Sequence, residues 1–438
     1  MTTMAVPKHK SSNYSNRKPI RLIIEDFGPI EKADLEFGDF TAIIGPNSSG
    51  KTFIIKIIKK LMDTMSNSYM FIISRNISES IKSMFVKDKD IEYTVSVKMS
   101  EYPEKVIDEI VDSVIEKVEN LETMQANDYK NIKAQFFQYF QTDPKNLIRF
   151  GKSRANITAY FEQMEINIKI SRNKDPSFEI VPVREFLINY IKGFTANFFG
   201  KGGASFGSTY TISQIQSILV PTERLSVLVT LPNVIEDLAK STGYQFLLPG
   251  LHQVQQRQDV NPSLMEFLSN YLSSINLLTM SKKEISQDAS ALIMGNLTLD
   301  ISLPFFINFK MGENNLPLNL ISSGTLQLIP LVVLSESNLG NNILIEEPEI
   351  NLHANKQVEV AEYLWKIVEE RDRTIIVSTH SDYFVMKLAH LSKDNKNKVL
   401  KVYFLNDGRT VPLKISQKGE IEEIKSIGEV MNKLLLEV

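Results

Sequence analysis

Four groups of residues in this chain have types and spacings that could do chemistry. The first is Gly45-Pro46-Asn47-Ser48-Ser49-Gly50-Lys51-Thr52, a loop bounded by glycines and ending in Lys-Thr. Gly45 and Gly50 let the backbone curl with its N–H groups turned inward, where a side chain would obstruct a phosphate. Lys51 supplies a flexible positive charge for β- and γ-phosphates, and Thr52 offers a hydroxyl to Mg²⁺. The second group is Glu346 and Glu347, which close the apolar run Ile343-Leu344-Ile345. Side chains alternate along a strand, so the two carboxylates are expected on opposite sides. Glu346 can then hold the metal ion while Glu347 orients and activates water. The third is His380, one of five histidines, at the end of Ile375-Ile376-Val377-Ser378-Thr379. A histidine at that point suits a γ-phosphate partner. The fourth is Ser322-Ser323-Gly324, which opens an apolar helix and offers hydroxyls and free N–H groups to an anion.

These groups need elements to hold them. Thr41 to Ile44 reads as a buried strand before the phosphate loop, and the Ile/Leu/Lys stretch from Phe53 to Leu61 reads as the helix after it. That helix adds its positive dipole end to the loop. Ile20–Phe27 and Ala33–Phe37, punctuated by Gly28-Pro29 and Gly38-Asp39, predict two antiparallel strands upstream. Further along, Ile107, Val111, Val114, Val118 and Leu121 follow a helical stripe of about two heptads, which predicts a packed helical insert. Phe136, Phe137, Tyr139 and Phe140 read as core. Residues 155 to 182 alternate as strands do, Gly200 to Gly207 reads as a flexible loop, and Ile218-Leu219-Val220-Pro221 predicts a buried strand with Thr222, Glu223 and Arg224 at its end. A second helical segment carries Leu264, Phe267, Leu268, Tyr271 and Leu272 on one stripe, and strands are expected at Leu292–Ile301 and Phe305–Lys310.

Composition narrows the class. A chain of 438 residues exceeds what one core usually carries, so several lobes are expected. The expected division is a disordered basic tail (1–18), a first head segment with the phosphate loop (19–66), a helical insertion (67–154), head strands (155–225), a second helical insertion (226–289) and a second head segment (290–438). Lys and Arg number 49 against 52 Asp and Glu, so any nucleic-acid contact must come from a local patch. The absence of cysteine excludes disulfides and thiolate metal sites. No apolar run has the length of a membrane span and the N-terminus lacks the apolar segment of a signal peptide, so a cytoplasmic protein with no membrane contact is expected.

The order phosphate loop, Ser322-Ser323-Gly324, Glu346-Glu347-Pro348-Glu349 with Leu352-His353, and Thr379-His380-Ser381-Asp382 resembles an ABC-type ATPase head. With Phe27-Gly28-Pro29-Ile30 and Val220-Pro221-Thr222-Glu223-Arg224, it is similar more narrowly to the OLD-like AAA ATPases, relatives of the RecF and SMC proteins. The sequence departs from the family at three points. Ala354 follows Leu352-His353 where Pro is frequent, Glu346 stands where ABC proteins commonly have Asp, and the signature opens Ser-Ser-Gly-Thr rather than Ser-Gly-Gly-Gln. Gln135, Gln138 and Gln141 are alternatives for the family's loop glutamine. No Asp-x-Asp pair of a TOPRIM nuclease follows His380, and Asp88-Lys89-Asp90 reads as a solvated loop.

The resemblance implies an α/β head with antiparallel N-terminal strands, a central, mostly parallel sheet and two helical insertions. It implies ATP and Mg²⁺, with Gly45 to Thr52 on the nucleotide, Thr52 and Glu346 on the metal ion, Glu347 activating water and His380 sensing the γ-phosphate. It also implies a homodimer or higher homo-oligomer, in which Ser323 and Gly324 of the partner subunit cap the γ-phosphate. Such ATPases resemble modules that regulate a separate nuclease or toxin in phage defence. Two other readings stand beside this one: a DNA-binding ATPase of RecF or SMC type, and a scaffold that binds ATP without turnover.

Overall fold

The computed structural model describes residues 20–69, 75, 112–113, 126–161, 164–182, 217–226, 262–281, 284–300, 306–316, 320–371, 373–395 and 397–421. The basic tail, the stripe from Ile107 to Leu121, the Gly200–Gly207 loop and the Asp88-Lys89-Asp90 segment lie outside these residues, apart from positions 112 and 113 within the stripe.

Strand β3 (Phe40–Ile44) is buried along its whole length. A strand of Phe, Thr, Ala and Ile can be apolar on both faces only where both faces are covered. The pairing provides that cover. β3 runs parallel to β12 (Thr374–Thr379) on one side and to β13 (Leu400–Asn406) on the other. β11 (Asn342–Glu346) lies parallel beyond β12, and β7 (Ser217–Val220) closes that edge. Alternate residues then divide between two cores. Ile43, Leu219, Leu344 and Ile376 face the layer that contains α1 (Lys51–Asp63) and α2 (Ala126–Gln138). Ala42, Ile44, Ile218, Val220, Ile343, Ile345, Ile375 and Val377 face the opposite layer of α3 (Pro262–Met280), α4 (Gln287–Ile293), α5 (Ser323–Glu336), α6 (Ala354–Arg371) and α7 (Asp382–Ser392). In α1, the helix after the phosphate loop, Ile54, Ile55, Ile57, Ile58 and Leu61 are all buried, each worth about 2 kcal/mol of transfer free energy.

The predicted antiparallel strands are present. β1 (Arg21–Phe27) and β2 (Ile30–Glu36) form a hairpin, and β4 (Arg154–Tyr160), β5 (Met164–Ser171) and β6 (Lys174–Pro182) extend it from the β1 side. β14 (Arg409–Leu413) pairs antiparallel with β13 and meets β2 at Lys32, so one mixed sheet has the order β6-β5-β4-β1-β2-β14-β13-β3-β12-β11-β7 among the described residues. The seam is stitched by polar contacts. The Tyr403 hydroxyl accepts from Glu36 N–H and donates to Glu36 C=O, both at 2.8 Å. The Gly408 carbonyl accepts from Glu31 and Lys32 N–H at 2.8 and 3.0 Å. Gly408 has φ +76°, and a Cβ there would lie 2.5 Å from the Pro29 carbonyl oxygen, so no other residue fits.

One expectation changes. Leu292 and Ile293 belong to α4, not to a strand, because Ser286 caps that helix and Met294 ends it at φ +56°. The strand starts only at Asn296, as β8 (Asn296–Asp300), and pairs with β9 (Phe306–Met311), which pairs with β10 (Asn314–Leu316). Phe136, Phe137 and Phe140, read from the sequence as core, pack with Phe27, Phe53 and Phe178. No helix among the described residues is long and apolar enough to cross a membrane.

Candidate active site

The parallel register brings the predicted groups to one edge. Ile44 pairs with Thr379, and Ser378 pairs with Glu346. Three strands therefore end level, and the phosphate loop, His380 and Glu347 leave from their carboxyl ends, where open α/β sheets bind ligands.

The loop residues follow from close packing. A Cβ on Gly45 would sit 2.1 Å from the Leu405 carbonyl oxygen, and Gly50 has φ +105° with Ile30 and Pro29 against it. Ser48 also takes a left-handed φ of +60°. Helices α4, α5 and α7 each begin with a serine side chain accepting from their first turn. Helix α1 begins at Gly50 with no side-chain cap and no acidic residue in its first turn. Its leading N–H groups and positive dipole end are left for an external anion.

The cleft measures about 530 Å³ and is lined by Pro29, Asn47, Ser48, Ser49, Gly50, Lys51, Thr52, Phe53, Lys56, Glu347 and His380. Lys51, only 4% exposed, donates to the Gly45 and Pro46 carbonyls at 2.9 and 2.8 Å. Its Nζ lies 3.4 Å from His380 Nδ1, and His380 Nε2 lies 3.4 Å from Glu347 Oε1. A cation, an imidazole and a carboxylate thus stand in line across the cleft. Burial pulls the Lys51 ammonium down to about 8, against the opposing pull of Glu347 and Glu349. The hydrogen bond from His380 holds the Glu347 carboxyl below the usual carboxylate range, with the charges of His380 and Lys51 adding to it against partial burial.

Glu346 and Glu347 do diverge, but a turn separates them rather than the pleat. β11 stops at Glu346, and Glu347 leaves it at φ +44°. Glu346 is 1% exposed, and burial pushes its carboxyl up to about 7. Its Oε2 accepts weakly from Thr222 N–H at 3.4 Å, while Oε1 has no protein partner among the described residues. A buried carboxylate oxygen without a partner is a hard-oxygen donor of the kind Mg²⁺ takes, as is the Thr52 hydroxyl; Thr52 lines the cleft and Glu346 does not.

The cleft does not gather every predicted residue. Ser322, Ser323 and Gly324 form the N-terminus of α5, with Ser322 accepting from Thr325 N–H at 3.2 Å, and they are outside the cleft lining. Gly45 and Pro46 contribute carbonyls to Lys51 and do not line it. Neither do Gln135, Gln138 or Gln141. Three residues acquire parts that their sequence positions did not announce. Lys56 lines the cleft one turn beyond Thr52. Glu349, buried, accepts from His380 N–H at 2.6 Å and so fixes the start of the histidine turn; burial pushes its carboxyl up. Arg224, fully buried, donates to the carbonyls of both Glu346 and Glu347, and burial pulls its guanidinium down to about 10. A charged residue four positions beyond a buried strand was the available signal for Arg224.

Comparison with known proteins gives three findings. No curated protein matches the chain. Similar solved structures include the SMC head domain from Thermotoga maritima, with 15% identity over 90% of this chain and 98% of that chain and a TM-score of 0.39. They also include the Smc head domain with an extended coiled coil, bound to the C-terminal domain of ScpA, from Pyrococcus furiosus (13% identity, 94% and 98% covered, TM-score 0.41). A third is the recombination mediator protein RecF of the RecFOR pathway (9% identity, 91% and 99% covered, TM-score 0.35). The model of the AAA ATPase domain matches residues 20–385, a span that takes in the phosphate loop, the carboxylate strand and the histidine strand, and the chain belongs to that family.

Proposed function

We propose that this protein binds Mg-ATP in the cleft and hydrolyses it, with Glu347 as the base that orients and deprotonates water. The observation that carries this reading is the alignment of Lys51, His380 and Glu347 at 3.4 Å intervals beside an uncapped helix N-terminus. The loop N–H groups and Lys51 hold the phosphates. Glu347 is kept ionised by its hydrogen bond to His380, the state a general base needs. His380 lies between base and cation, where it can report on the γ-phosphate. Thr52 and Glu346 would hold Mg²⁺, which when bound neutralises phosphate charge.

The exposed Ser322-Ser323-Gly324 terminus supports a further element of the reading: a homodimer in which this terminus meets the nucleotide of the opposite subunit. The order of motifs, similar to OLD-like ATPases, supports a cytoplasmic ATPase that regulates a separate nuclease or toxin effector. Co-expression with the products of neighbouring genes tests that output. An ATP-dependent change in nuclease or growth-inhibitory activity is expected, and its absence with every neighbour refutes the effector reading.

The chemistry is tested with labelled ATP. Lys51→Ala is expected to lose binding. Glu347→Gln is expected to keep binding while turnover drops by ~10²–10⁴-fold, the usual worth of general-base assistance. Wild-type affinity in Lys51→Ala would remove the site assignment. Normal turnover in Glu347→Gln with a dead Glu346→Gln would reverse the two carboxylate roles.

A further inference from the structure

Glu347 is in a backbone conformation that its neighbours in sequence oppose. It is not glycine, yet φ is +44°. Pro348 follows it, and a residue before proline is driven toward extended conformations. Such a geometry persists only where the surroundings over-determine it. Here they do so from both sides of the residue. Glu347 N–H donates to the Ser378 carbonyl of β12 at 2.8 Å. Its own carbonyl accepts from Ile350 N–H at 3.1 Å and from Arg224 Nη2 at 3.0 Å.

Arg224 reaches three segments at once. Nη1 donates to Pro221 C=O at 3.0 Å and to Glu346 C=O at 2.9 Å, and Nε donates to Gln327 C=O at 3.1 Å. The guanidinium therefore ties the end of β7, the Glu346–Glu347 turn and the second turn of α5 into one unit. All four acceptors are backbone carbonyls, so the planar fork fixes main-chain geometry rather than neutralising a particular side chain. The residue directly reoriented by that turn is the one whose carboxylate faces His380.

We propose that Arg224 is a positioning residue: it holds Glu347 in its left-handed conformation and so aims the carboxylate into the cleft, locked to the helix begun by Ser322-Ser323-Gly324. This inference rests on the ATPase reading above and names the element that sets its base. Lysine has a charge but no planar fork, and cannot span four carbonyls in three segments. Arg224→Lys is expected to lower kcat about a hundredfold, the scale of a misplaced catalytic group, with ATP affinity held within about threefold. Added to Glu347→Gln, whose amide cannot take the proton, Arg224→Lys is expected to change the residual rate by less than about twofold. An equal loss in both backgrounds, or a loss of ATP affinity in step with kcat, overturns the proposal.

The two readings fail separately. If the wild-type protein shows no turnover that Lys51→Ala abolishes, the ATPase reading falls. The clamp is then read by amide hydrogen exchange. Arg224→Lys is expected to speed exchange over residues 345–350 and leave α1 unchanged, and unchanged exchange over 345–350 overturns the clamp. Should Arg224→Lys not fold, glycine at 347 takes φ +44° without strain, so Arg224→Lys with Glu347→Gly is expected to recover folding. Failure to recover assigns Arg224 to stability alone and overturns the proposal.

Discussion

Raising the pH from 7 to 9 should weaken ATP binding about tenfold, because the cation at the centre of the cleft is easy to deprotonate. Lys51 is almost fully buried and its ammonium is pulled down to about 8 from an ordinary 10.5. At that value roughly nine tenths of the ammonium is charged at pH 7 and roughly one tenth at pH 9. If the phosphates require the charged form, affinity follows that fraction. Fold stability moves the other way. Between about 8 and 10.5 the unfolded chain binds a proton at Lys51 that the folded chain does not, so this residue makes stability rise with pH in that window. Isothermal titration with Mg-ATP across pH 7–10, run beside thermal unfolding of the protein alone, separates the two effects. Lys51→Arg remains charged throughout and should lose the pH dependence even if its affinity is lower. Flat wild-type affinity to pH 10, or the same decline in Lys51→Arg, would refute the argument that burial of this ammonium governs binding.

Ser323→Arg should bind ATP but not hydrolyse it, since Ser323 lies outside the cleft lining of its own subunit; mixing it with Lys51→Ala should restore one working site per dimer, and no recovery, or normal turnover in the single mutant, would remove the composite site. Lys59→Met should cost about 3 kcal/mol in urea unfolding, because Lys59 is 1% exposed and its ammonium serves both Asp63 and Glu266, whose partly buried carboxylates would lose that cation. A loss below about 1 kcal/mol, the range of a solvent-exposed pair, would contradict that account. Any DNA binding should be sequence-neutral and fade steeply with salt, as 49 basic against 52 acidic residues leave only a local patch to contact phosphates; a tight complex that survives high salt in an electrophoretic shift assay would favour a dedicated DNA-binding ATPase.

The sequence was readable where short-range signals agree. Thr41–Ile44, the loop and α1 form one continuous pattern, and the strands ending at Glu346 and Thr379 are apolar runs stopped by polar residues. Their assembly was not readable, because register is non-local: nothing in Leu400–Asn406 announces that it lies beside β3 and brings the Leu405 carbonyl against Gly45. Leu292 and Ile293 illustrate a second limit. A short apolar run has no period of its own, and the Ser286 cap decided for helix. Arg224 illustrates a third. Its four acceptors are backbone carbonyls, which every residue has, so no spacing rule could have found them.

Adjacent identical residues show how the fold assigns chemistry. Glu346 and Glu347 carry the same carboxyl, and the sequence alone divides them only by strand alternation. In the structure the division is electrostatic. Glu346 ends the strand inside the core, where burial pushes it up to about 7. Glu347 turns out at φ +44° into the reach of His380 and Lys51, where the hydrogen bond from His380 pulls it below the usual range. A carboxyl raised to about 7 is partly protonated at neutral pH, and a nearby cation would draw it into the ionised form. A carboxyl held below the usual range is ionised throughout the neutral range, free to accept a hydrogen bond from water though with less proton affinity. The turn held by Ser378 and Arg224 therefore does more than change direction: it moves the second of two equal groups from the buried end of the strand into the cleft, beside His380.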